Sequence, residues 1–547
     1  MALYLGFDCS TQSLSAIVID VEGEDRRIVF EHSLSFDRDL PEYGTTDGVV
    51  RGGAAGEVLA SPLMWADALD RMMAILARDA NVDIGQIRAI SGAAQQHGSV
   101  YLNRRARHAW RTLAPDRPLA PQLAGTFARD LSPSWMDEST GEQCAAIEQA
   151  LGGPEATTHL TGSRAYTRFT GPQIRKFHDR HRGAYDATTR VHLVSSFLAS
   201  LLVGADAPLD PGDASGMNLM DIRSSAWSSA ALDATAPGLL LKLPEIRPSW
   251  TMAGRLSTYW QDRYSFPPAQ VVTWTGDNPS SLVGTGIVGE GQLAVSLGTS
   301  DTVFALTPPS RDARFHLREG YGGQVGAARP AIVSHVFGAP TGGLMSLICF
   351  RNGSLTRDWV RRTHGLDWEG FAVALDRTPA GNGGALMLPW LEAEITPPVQ
   401  HPGLRRFAYD GRDPARDVRA LVEAQMMAMA NHSATMAGEV TRVVATGGAA
   451  VNVAVLQVMA DVFGVPVDRL SVGNSACLGA ALRAFHADRL ASDEPLAWSS
   501  VVKGFTDASE RVLPRSGNVA LYQELRKGYA ALEAQHQDRP LIGSRQM

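Results

Sequence analysis

Two apolar runs flank one polar turn in the first part of the chain. Leu3–Phe7 and Leu14–Val21 are mainly apolar, and the turn Cys9–Ser13 between them carries hydroxyl and amide side chains. Apolar runs of this length around a short polar turn predict a β-hairpin. The stretch 293–306 repeats the pattern around the turn 298–301, Gly-Thr-Ser-Asp. One such unit opens each half of the chain, which indicates a duplicated architecture.

Helical and strand patterns alternate in the rest of the chain. Apolar residues recur with helical spacing over Met64–Ala80, and Val191–Gly204 has the composition of a buried helix. An N-cap and a first-turn proline predict a helix over 413–436. The strand Arg442–Gly448 ends in a glycine turn before a helix over Asn452–Phe463. The alternation predicts an α/β protein, and strand, glycine turn, helix is an order that suits nucleotide binding.

The length and the apolar content suit a globular protein of two domains. The chain has 547 residues, of which 44% are hydrophobic, and this size exceeds what one core usually supports. Arg51–Glu57 and the Pro- and Arg-rich stretch 103–133 are predicted surface insertions, and 535–547 is predicted to be a frayed tail.

Charge and cysteine usage narrow the class of partner. The formal net charge is −7 without a basic block, which argues against nucleic acid and an anionic membrane surface. The four cysteines form no CxxC pair, so neither a zinc cluster nor a disulfide framework is expected. No uncharged apolar run is long enough to span a bilayer, and we expect no targeting segment. We therefore expect a cytoplasmic protein that acts on a small molecule. The oligomeric state is left open, with a homodimer as one alternative.

The two hydroxyl-rich turns have the composition of phosphate-binding loops. Short Gly/Ser/Thr turns present backbone N–H groups and hydroxyls with little steric bulk. Each turn alone is more simply an ordinary hairpin, but the recurrence favours phosphate. Asp8 lies where the first strand meets its turn, and a carboxylate there suits Mg²⁺, which is commonly bound by carboxylates together with phosphate and water. The alternative is an aspartate that bonds its own turn.

Asp277 directly follows the apolar sequence QVVTW and the pair Thr275-Gly276, with Asn278 as a candidate N-cap and Pro279 as a first-turn proline. An acid at the end of a strand, beside a helix N-terminus, can accept a proton from a substrate hydroxyl. The alternative is that Asp277 only helps to cap the helix. This segment alone does not decide between the two interpretations.

A polar island between two predicted strands offers mixed donors and acceptors. Within Ser91–Tyr101, Gln95, Gln96 and His97 are groups that a polyhydroxylated ligand requires. A lone histidine is more often structural than functional, so that alternative remains.

The loop Gly162–Gln173 carries Arg164 and Arg168 beside Tyr166 and Phe169. Glycine and aromatic residues around cations suit recognition of a ligand by shape. Two solvated arginines are the alternative.

One nucleotide-binding pattern does not fit its context. Residues 284–289 match GxGxxG, but the dinucleotide fingerprint has to follow a strand and open a helix. Here it follows a predicted helix and precedes a strand, so we interpret it as a helix end. The chain also lacks the GxxxxGK(S/T) motif of P-loop proteins.

Eight motifs, taken in order, resemble one known family. They are GFDCSTQS, SGAAQQHGS, SPSWMDEST, TGSRAYTRFTG, DASGMNLMDI, GDNPSSL, SLGTSD and ATGGAAVNVAVLQVMADVFGVPV. Together they resemble the FGGY family of carbohydrate kinases. Within that family, the resemblance is strongest to the longer type of xylulokinase, which is also found in eukaryotes. The resemblance extends from Leu3 to Phe485. Each motif alone is weak, but eight in one order are specific.

The resemblance implies an α/β protein with the actin-like fold, in which two duplicated domains of the ribonuclease-H type surround a central cleft. It implies a sugar-binding domain over 1–284, an ATP-binding domain over 285–534 and a flexible tail over 535–547. It also implies an ATP- and Mg²⁺-dependent transferase that phosphorylates a ketopentose by direct in-line transfer, with D-xylulose to D-xylulose 5-phosphate as the closest match. Such a reaction depends on positioning and charge neutralisation more than on covalent help.

The resemblance also assigns roles to individual residues. Asp277 is expected to be the base that deprotonates the sugar hydroxyl as it attacks the γ-phosphate, and Asp8 is expected to order Mg²⁺ with the phosphates. The ketose is expected to contact Gln96, His97, Arg168, Asp277 and Asn278. The expected ATP-binding residues are Thr11, Gln12 and Ser13 in the first turn, Gly298, Thr299 and Ser300 in the second, and Gly447, Gly448, Ala449 and Asn452 in the adenosine loop.

One segment departs from the family's pattern. Over His335–Ser354 the sequence has Gly338-Ala339 and Thr341-Gly342-Gly343 where we expect an Asn-Pro pair and bulkier polar residues. We expect the nucleotide contacts of this segment to differ, and the insertion 103–133 to alter the rim of the sugar pocket.

Two alternatives to a D-xylulose kinase stay open. In the first alternative the substrate is another pentulose or a polyol, such as ribulose, L-xylulose or glycerol. The motifs indicate the reaction better than they indicate the stereochemistry of the sugar. Alternatively, the chain is a non-enzymatic actin-like ATP-binding protein. The sugar motifs argue against that class, which has no need of a sugar pocket.

Overall fold

A computed structural model describes residues 2–22, 26–51, 53–308, 334–470 and 473–537. The strands are β1 Leu3–Cys9, β2 Ser13–Asp20, β3 Arg27–Ser35, β4 Leu59–Ala60, β5 Ile87–Ala94, β6 Ser99–Asn103, β7 Ser132–Pro133, β8 Thr188–Leu193, β9 Met220–Asp221, β10 Ala226–Trp227, β11 Met252–Arg255, β12 Gln270–Val272, β13 Thr275–Gly276, β14 Gln292–Leu297, β15 Asp301–Thr307, β16 His335–Gly338, β17 Leu344–Phe350, β18 Leu386–Trp390, β19 Gly403–Phe407, β20 Arg442–Thr446, β21 Val467–Leu470 and β22 Ala508–Val512.

The helices are α1 Phe36–Asp39, α2 Pro62–Leu76, α3 Ala106–Arg111, α4 Leu119–Leu123, α5 Gly141–Ala150, α6 Pro154–Thr161, α7 Thr170–Arg180, α8 Arg182–Ala187, α9 Val194–Val203, α10 Pro211–Ala214, α11 Ser229–Thr235, α12 Thr258–Tyr264, α13 Asp277–Gly284, α14 Ser354–Thr363, α15 Trp368–Arg377, α16 Pro414–His432, α17 Val453–Phe463, α18 Ser475–Ala491, α19 Trp498–Val502 and α20 Ser516–His536. Within the described ranges, no helix combines the length and the apolar composition that crossing a bilayer requires.

The chain divides into two compact units. The first comprises Met1–Val288, Val336–Leu344 and Asn474–Thr506, and the second comprises Gly289–His335, Met345–Gly473 and Asp507–Met547. Each unit therefore takes segments from separate parts of the sequence.

The sheet of the first unit starts from the predicted hairpin. β1 pairs antiparallel with β2, and β3 follows β2 antiparallel. On its other side β1 pairs parallel with β5, β5 pairs parallel with β12, and β11 closes the sheet antiparallel to β12. The short strand β13 also pairs parallel with β5.

The sheet of the second unit repeats this arrangement. β14 pairs antiparallel with β15 and parallel with β20, β20 pairs parallel with β21, and β22 closes the sheet antiparallel to β21. β17 lies on the far side of β15, as β3 lies on the far side of β2. The duplication predicted from the two hairpins is confirmed at the level of strand order.

Helix α18 belongs to the core of the first unit although it lies late in the sequence. All seven residues of β1 are buried, and a β-carbon at Gly6 would lie 2.3 Å from the carbonyl oxygen of Cys477 on α18. Only glycine permits this close approach. The helix covers the strand that carries Asp8.

Several predicted elements have different bounds in the structure. Val191–Leu193 forms a strand, because these residues pair with β6, and helix α9 begins after them. The helix that begins at Pro414 ends at His432. Within the predicted surface insertion 103–133, Leu119 and Leu123 are fully buried. Residues 535 and 536 of the predicted tail are helical, and 538–547 lie outside the described residues.

Candidate functional site

Two carboxylates lie at the same end of the first sheet. Asp8 is the penultimate residue of β1, in register with Ala93 of β5, and Thr275 of β13 is in register with the same residue. Asp277 follows β13 directly and begins α13. The structural N-cap of this helix is Gly276, so the expected capping role of Asn278 is wrong. The carboxyl ends of parallel strands thus bring Asp8 and Asp277 together.

Burial makes both carboxyls weaker acids than usual. Asp8 is 6% exposed, and its Oδ1 has no hydrogen-bond partner among the described residues. Desolvation, with a smaller contribution from the charge of Asp277, raises the pKa of Asp8 to about 8. Desolvation also raises the pKa of Asp277 to about 6, although hydrogen bonds from backbone N–H groups oppose the shift. An unpartnered, desolvated carboxylate oxygen suits a cation, and Asp277 titrates in the range of a general base.

Asn278 connects Asp277 to the polar island. The Asn278 backbone N–H donates to Asp277 Oδ1 at 2.8 Å, and its side-chain amide donates to Gln96 Oε1 at 3.0 Å. Gly276 allows this packing, since a β-carbon there would lie 2.3 Å from Gln96 Cγ. The predicted sugar contacts Gln96, Asp277 and Asn278 are therefore one hydrogen-bonded group.

His97 is held in a left-handed backbone conformation, with φ 72°. Its Nδ1 lies 2.8 Å from the carbonyl oxygen of Gly216, and its ring stacks on Phe169 with centroids 4.3 Å apart. A carbonyl only accepts, so Nδ1 carries the hydrogen and Nε2 of a neutral ring is an acceptor. The strained backbone and the fixed ring are typical of a functional position.

Arg168 is the residue before Phe169, on the loop that leads into α7. Its guanidinium lies 5.3 Å from the centroid of the Tyr166 ring. Two aromatic rings of this loop therefore lie against predicted sugar contacts, Phe169 against His97 and Tyr166 against Arg168. Arg164 has a separate role, since it pairs with Glu148 at 3.2 Å.

Two buried acids that the sequence analysis did not single out lie near β13, and one of them contacts it directly. Asp210 Oδ1 accepts from Thr275 Oγ1 at 2.8 Å, and its Oδ2 accepts from Ser249 Oγ at 2.6 Å. Asp213 accepts a hydrogen bond from Ser195. Burial raises the pKa of both carboxyls. Asp213 opens the motif DASGMNLMDI and Asp210 lies three residues before it; the support that Asp210 gives to β13 depends on a contact between residues far apart in sequence.

A cavity of about 1270 Å³ lies in the second unit. It brings together the second hydroxyl turn and the glycine loop, which are far apart in the sequence. Of the predicted ATP-binding residues, Gly298, Thr299, Gly448, Ala449 and Asn452 line it, and Ser300 and Gly447 are the neighbours of lining residues. The cavity is large enough for a nucleotide.

The glycine loop has a conformation that depends on its sequence. Gly447 has φ 85°, and a β-carbon there would lie 2.6 Å from the carbonyl oxygen of Leu297. The side chain of Asn452 accepts from the backbone N–H of Ala454 at 3.0 Å and caps α17. The loop therefore presents the N-terminus of an 11-residue helix to the cavity, and such an end favours negative charge.

A buried ion pair fixes the base of the second hydroxyl turn. Arg357 donates to both carboxylate oxygens of Asp301, at 2.8 and 2.9 Å. It also donates to Gln425 Oε1 at 2.9 Å. A β-carbon at Gly353 would lie 2.8 Å from the carbonyl oxygen of Thr299. These contacts hold the backbone of the turn in one conformation.

Apolar side chains of this cavity were missed by the sequence analysis. Trp368, Val451 and Val453 line it and are 51%, 69% and 47% exposed. Large exposed apolar surfaces around one cavity suit the faces of an aromatic base. The valines on both sides of Asn452 are a sequence signal for such a face, whereas nothing local distinguishes Trp368.

The segment His335–Ser354, which departs from the family's pattern, contributes to both units. Residues 336–344 belong to the first unit, and the Gly338 backbone N–H donates to Ser215 Oγ at 3.1 Å. The Phe337 ring lies 6.5 Å from His97 and 6.4 Å from Phe169. This part of the segment therefore contacts the predicted sugar site, whereas Ser354, the last residue of the segment, lines the cavity of the second unit.

The first hydroxyl turn closes on itself. The backbone N–H of Ser10 donates to the carbonyl oxygen of Ser13 at 2.9 Å, and the two hydroxyl oxygens are 3.0 Å apart. Thr11 and Gln12 form the tip, and both are accessible to solvent. The structure thus places Thr11, Gln12 and Ser13 directly after the strand that carries Asp8.

Known proteins resemble this chain in sequence. Residues 132–284 match the N-terminal domain of the FGGY family of carbohydrate kinases, and residues 293–487 match the C-terminal domain of that family. Xylulose kinase of Rattus norvegicus is 42% identical over 542 residues, which are 97% of this chain and 96% of the rat protein. Xylulose kinase 2 of Arabidopsis thaliana is 40% identical over 507 residues, with 89% of this chain and 87% of the plant protein covered.

A solved structure also shares the fold. The crystal structure of xylulose kinase from Rhodospirillum rubrum has a TM-score of 0.78 and 18% sequence identity, and the match covers 97% of this chain and 98% of that chain. The predicted actin-like α/β fold with two duplicated domains is confirmed.

Proposed function

Because the chain belongs to the FGGY family of carbohydrate kinases, we propose that it transfers the γ-phosphate of ATP to D-xylulose and releases D-xylulose 5-phosphate and ADP. The resemblance found in the sequence is confirmed, and a kinase of this family uses a sugar and ATP. The relatives named xylulose kinase, at 40–42% identity over most of the chain, support the choice of sugar.

The observation that carries the proposal is the hydrogen-bonded group around Asp277. A sugar hydroxyl that gives its proton to Asp277 becomes a nucleophile for the γ-phosphorus, and ADP leaves as the O–P bond to the sugar forms. The pKa of about 6 lets Asp277 be ionised at neutral pH and still accept a proton. Gln96 and Arg168 supply donors for the hydroxyls and the carbonyl of an open-chain ketose. Asn278 donates its side-chain amide hydrogens to Gln96 and Asp277, so its Oδ1, like His97 Nε2, supplies an acceptor.

We assign the nucleotide to the second unit and the sugar to the first. The hydroxyl turn and the glycine loop present N–H groups to the phosphates, and Trp368 with the two exposed valines contacts the adenine ring. The turn Thr11–Ser13 supplies further donors to the phosphates. Asp8 fits Mg²⁺, because its Oδ1 is desolvated and has no partner among the described residues; the bound ion neutralises phosphate charge.

We place the enzyme in the cytoplasm. None of the four cysteines, all of them at described positions, forms a disulfide, which suits a reducing compartment.

Sugar-dependent ADP release from Mg·ATP tests the proposal. The purified protein is assayed without sugar and with D-xylulose, L-xylulose, D-ribulose and glycerol in parallel. We expect strong stimulation by D-xylulose alone, and phosphorylated sugar in equimolar amount to ADP. Stimulation by another compound instead would assign that compound as the substrate. If none of the compounds stimulates ADP release, the proposal is overturned.

A further inference from the structure

A tryptophan from a distant loop contacts the tip of the first hydroxyl turn. Trp135 Nε1 donates to Thr11 Oγ1 at 2.6 Å. Trp135 is 38% exposed, so burial of the ring alone does not explain its position. The contact joins the motif SPSWMDEST to a turn that we assign to the phosphates.

The loop that carries Trp135 is rigidly held. The backbone N–H of Ser134 donates to the carbonyl oxygen of Val58 at 2.9 Å. Asp137, which is fully buried, accepts from Gln173 Nε2 at 2.8 Å and from the Val58 backbone N–H at 3.3 Å. The indole therefore extends from a fixed backbone.

The backbone of the turn is fixed from another direction. Gly48 has φ 74°, and a β-carbon there would lie 2.0 Å from the carbonyl oxygen of Thr11. This close packing positions the main chain of the turn but not the hydroxyl group of Thr11, which rotates about its C–O bond. The indole N–H is what defines the direction of that hydroxyl.

We propose that Trp135 is a positioning residue for phosphate binding: its indole N–H occupies one lone pair of Thr11 Oγ1 and so directs the hydroxyl hydrogen of Thr11 to a phosphate oxygen of ATP. A hydroxyl offers one donor and two acceptor sites. When the indole N–H occupies one acceptor site, the O–H group of Thr11 becomes a stronger hydrogen-bond donor. Fewer orientations of that O–H group then remain available. The inference deepens the proposed function and rests on it for the assignment of the turn to ATP.

Equilibrium binding to the full-length protein tests the inference without turnover. Titration calorimetry with Mg·ATP and with adenosine compares wild type with Trp135→Phe, which keeps an aromatic ring and removes the N–H. We expect Kd for Mg·ATP to rise roughly three- to tenfold, the loss of one hydrogen bond, and Kd for adenosine to stay unchanged, since adenosine has no phosphate. Trp359→Phe, at an equally exposed tryptophan of the second unit, is the matched control and should bind both ligands as wild type does.

A double-mutant cycle separates positioning from a general structural effect. Thr11→Val alone should raise Kd for Mg·ATP by at least the factor that Trp135→Phe does, and adding Trp135→Phe to it should have no further effect. Additive effects of the two substitutions, an equal loss of adenosine binding, or wild-type affinity of Thr11→Val would overturn the inference. If Trp135→Phe does not fold, Trp135→His takes its place in the cycle, and wild-type affinity of Thr11→Val would still overturn the inference. Failure of the proposed function appears separately, as wild-type protein that binds ATP and phosphorylates no sugar.

Discussion

Asp8 and Asp277 flank the same strand. Cys9, which follows Asp8, and Gly276, which precedes Asp277, are both in register with Ala94 of β5. Two strand spacings, about 9–10 Å, therefore separate the backbones of β1 and β13, and the charge of Asp277 still raises the pKa of Asp8. Asp8 therefore lies beside the first hydroxyl turn and Asp277 beside the polar island, at the ends of two strands that have β5 between them.

Asp277→Asn should remove most of the turnover and leave sugar binding intact. The amide keeps an oxygen for the Asn278 N–H but cannot accept the substrate proton, and loss of a general base reduces rates by about 10²–10⁴. We expect kcat to fall by that factor while Kd for D-xylulose changes by less than about threefold. Asp233→Asn, at an exposed position, is the control. Near-normal kcat in Asp277→Asn would remove Asp277 as the base.

The pH dependence of kcat/KM should have an acidic limb near pH 6. Asp277 acts in its ionised form, and its pKa is about 6, so the active fraction falls tenfold for each pH unit below that value. Rates between about pH 5 and 8 measure the limb. A histidine titrates in the same range, and His97→Gln is the control. If the acidic limb disappears in His97→Gln, it belongs to the imidazole of His97 and not to the carboxyl of Asp277.

Asp8→Asn should stabilise the free protein while impairing catalysis. The pKa of Asp8 is raised to about 8 in the folded state, from an ordinary value of 3.8. The folded state therefore holds a proton that the unfolded state releases, and stability falls as pH rises from about 4 to 8. At pH 7 this penalty is up to about 4 kcal/mol, and the neutral amide removes it.

Thermal unfolding without Mg²⁺ and nucleotide measures the effect. Asp8→Asn should unfold at a higher temperature than wild type at pH 7, and the difference should vanish near pH 4. A lower unfolding temperature at pH 7 would show that Asp8 is stabilised as an anion by contacts within the protein.

The sequence predicted those parts of the site that depend on local pattern. The polar turns after β1 and β14 are visible because apolar runs bound them, and Asp277 is visible because it lies between a strand and a helix. The support by Asp210 is not visible, since it depends on the contact with Thr275, 65 positions away in sequence. The placement of α18 beside β1 likewise depends on a contact between Gly6 and Cys477, which no local pattern encodes.

Trp368→Ala should weaken ATP binding and leave the chemical step intact. Trp368 begins α15, lines the cavity of the second unit and is 51% exposed. Stacking of a base on an aromatic side chain contributes about 1–3 kcal/mol, so KM for ATP should rise by about tenfold or more, with kcat and KM for D-xylulose unchanged. Trp368→Phe should recover most of the loss because it restores an aromatic face. The unfolding temperature of Trp368→Ala should fall only slightly, since half of the side chain is already in solvent and the rest contacts Phe371 and Arg361. The control is Trp359→Ala on α14, the preceding helix in the sequence. Trp359 is 38% exposed and does not line the cavity, so this variant should keep the wild-type KM for ATP. An equal rise in both alanine variants would show that the effect comes from general loosening of the second unit, and the adenine ring would then have to bind against other residues.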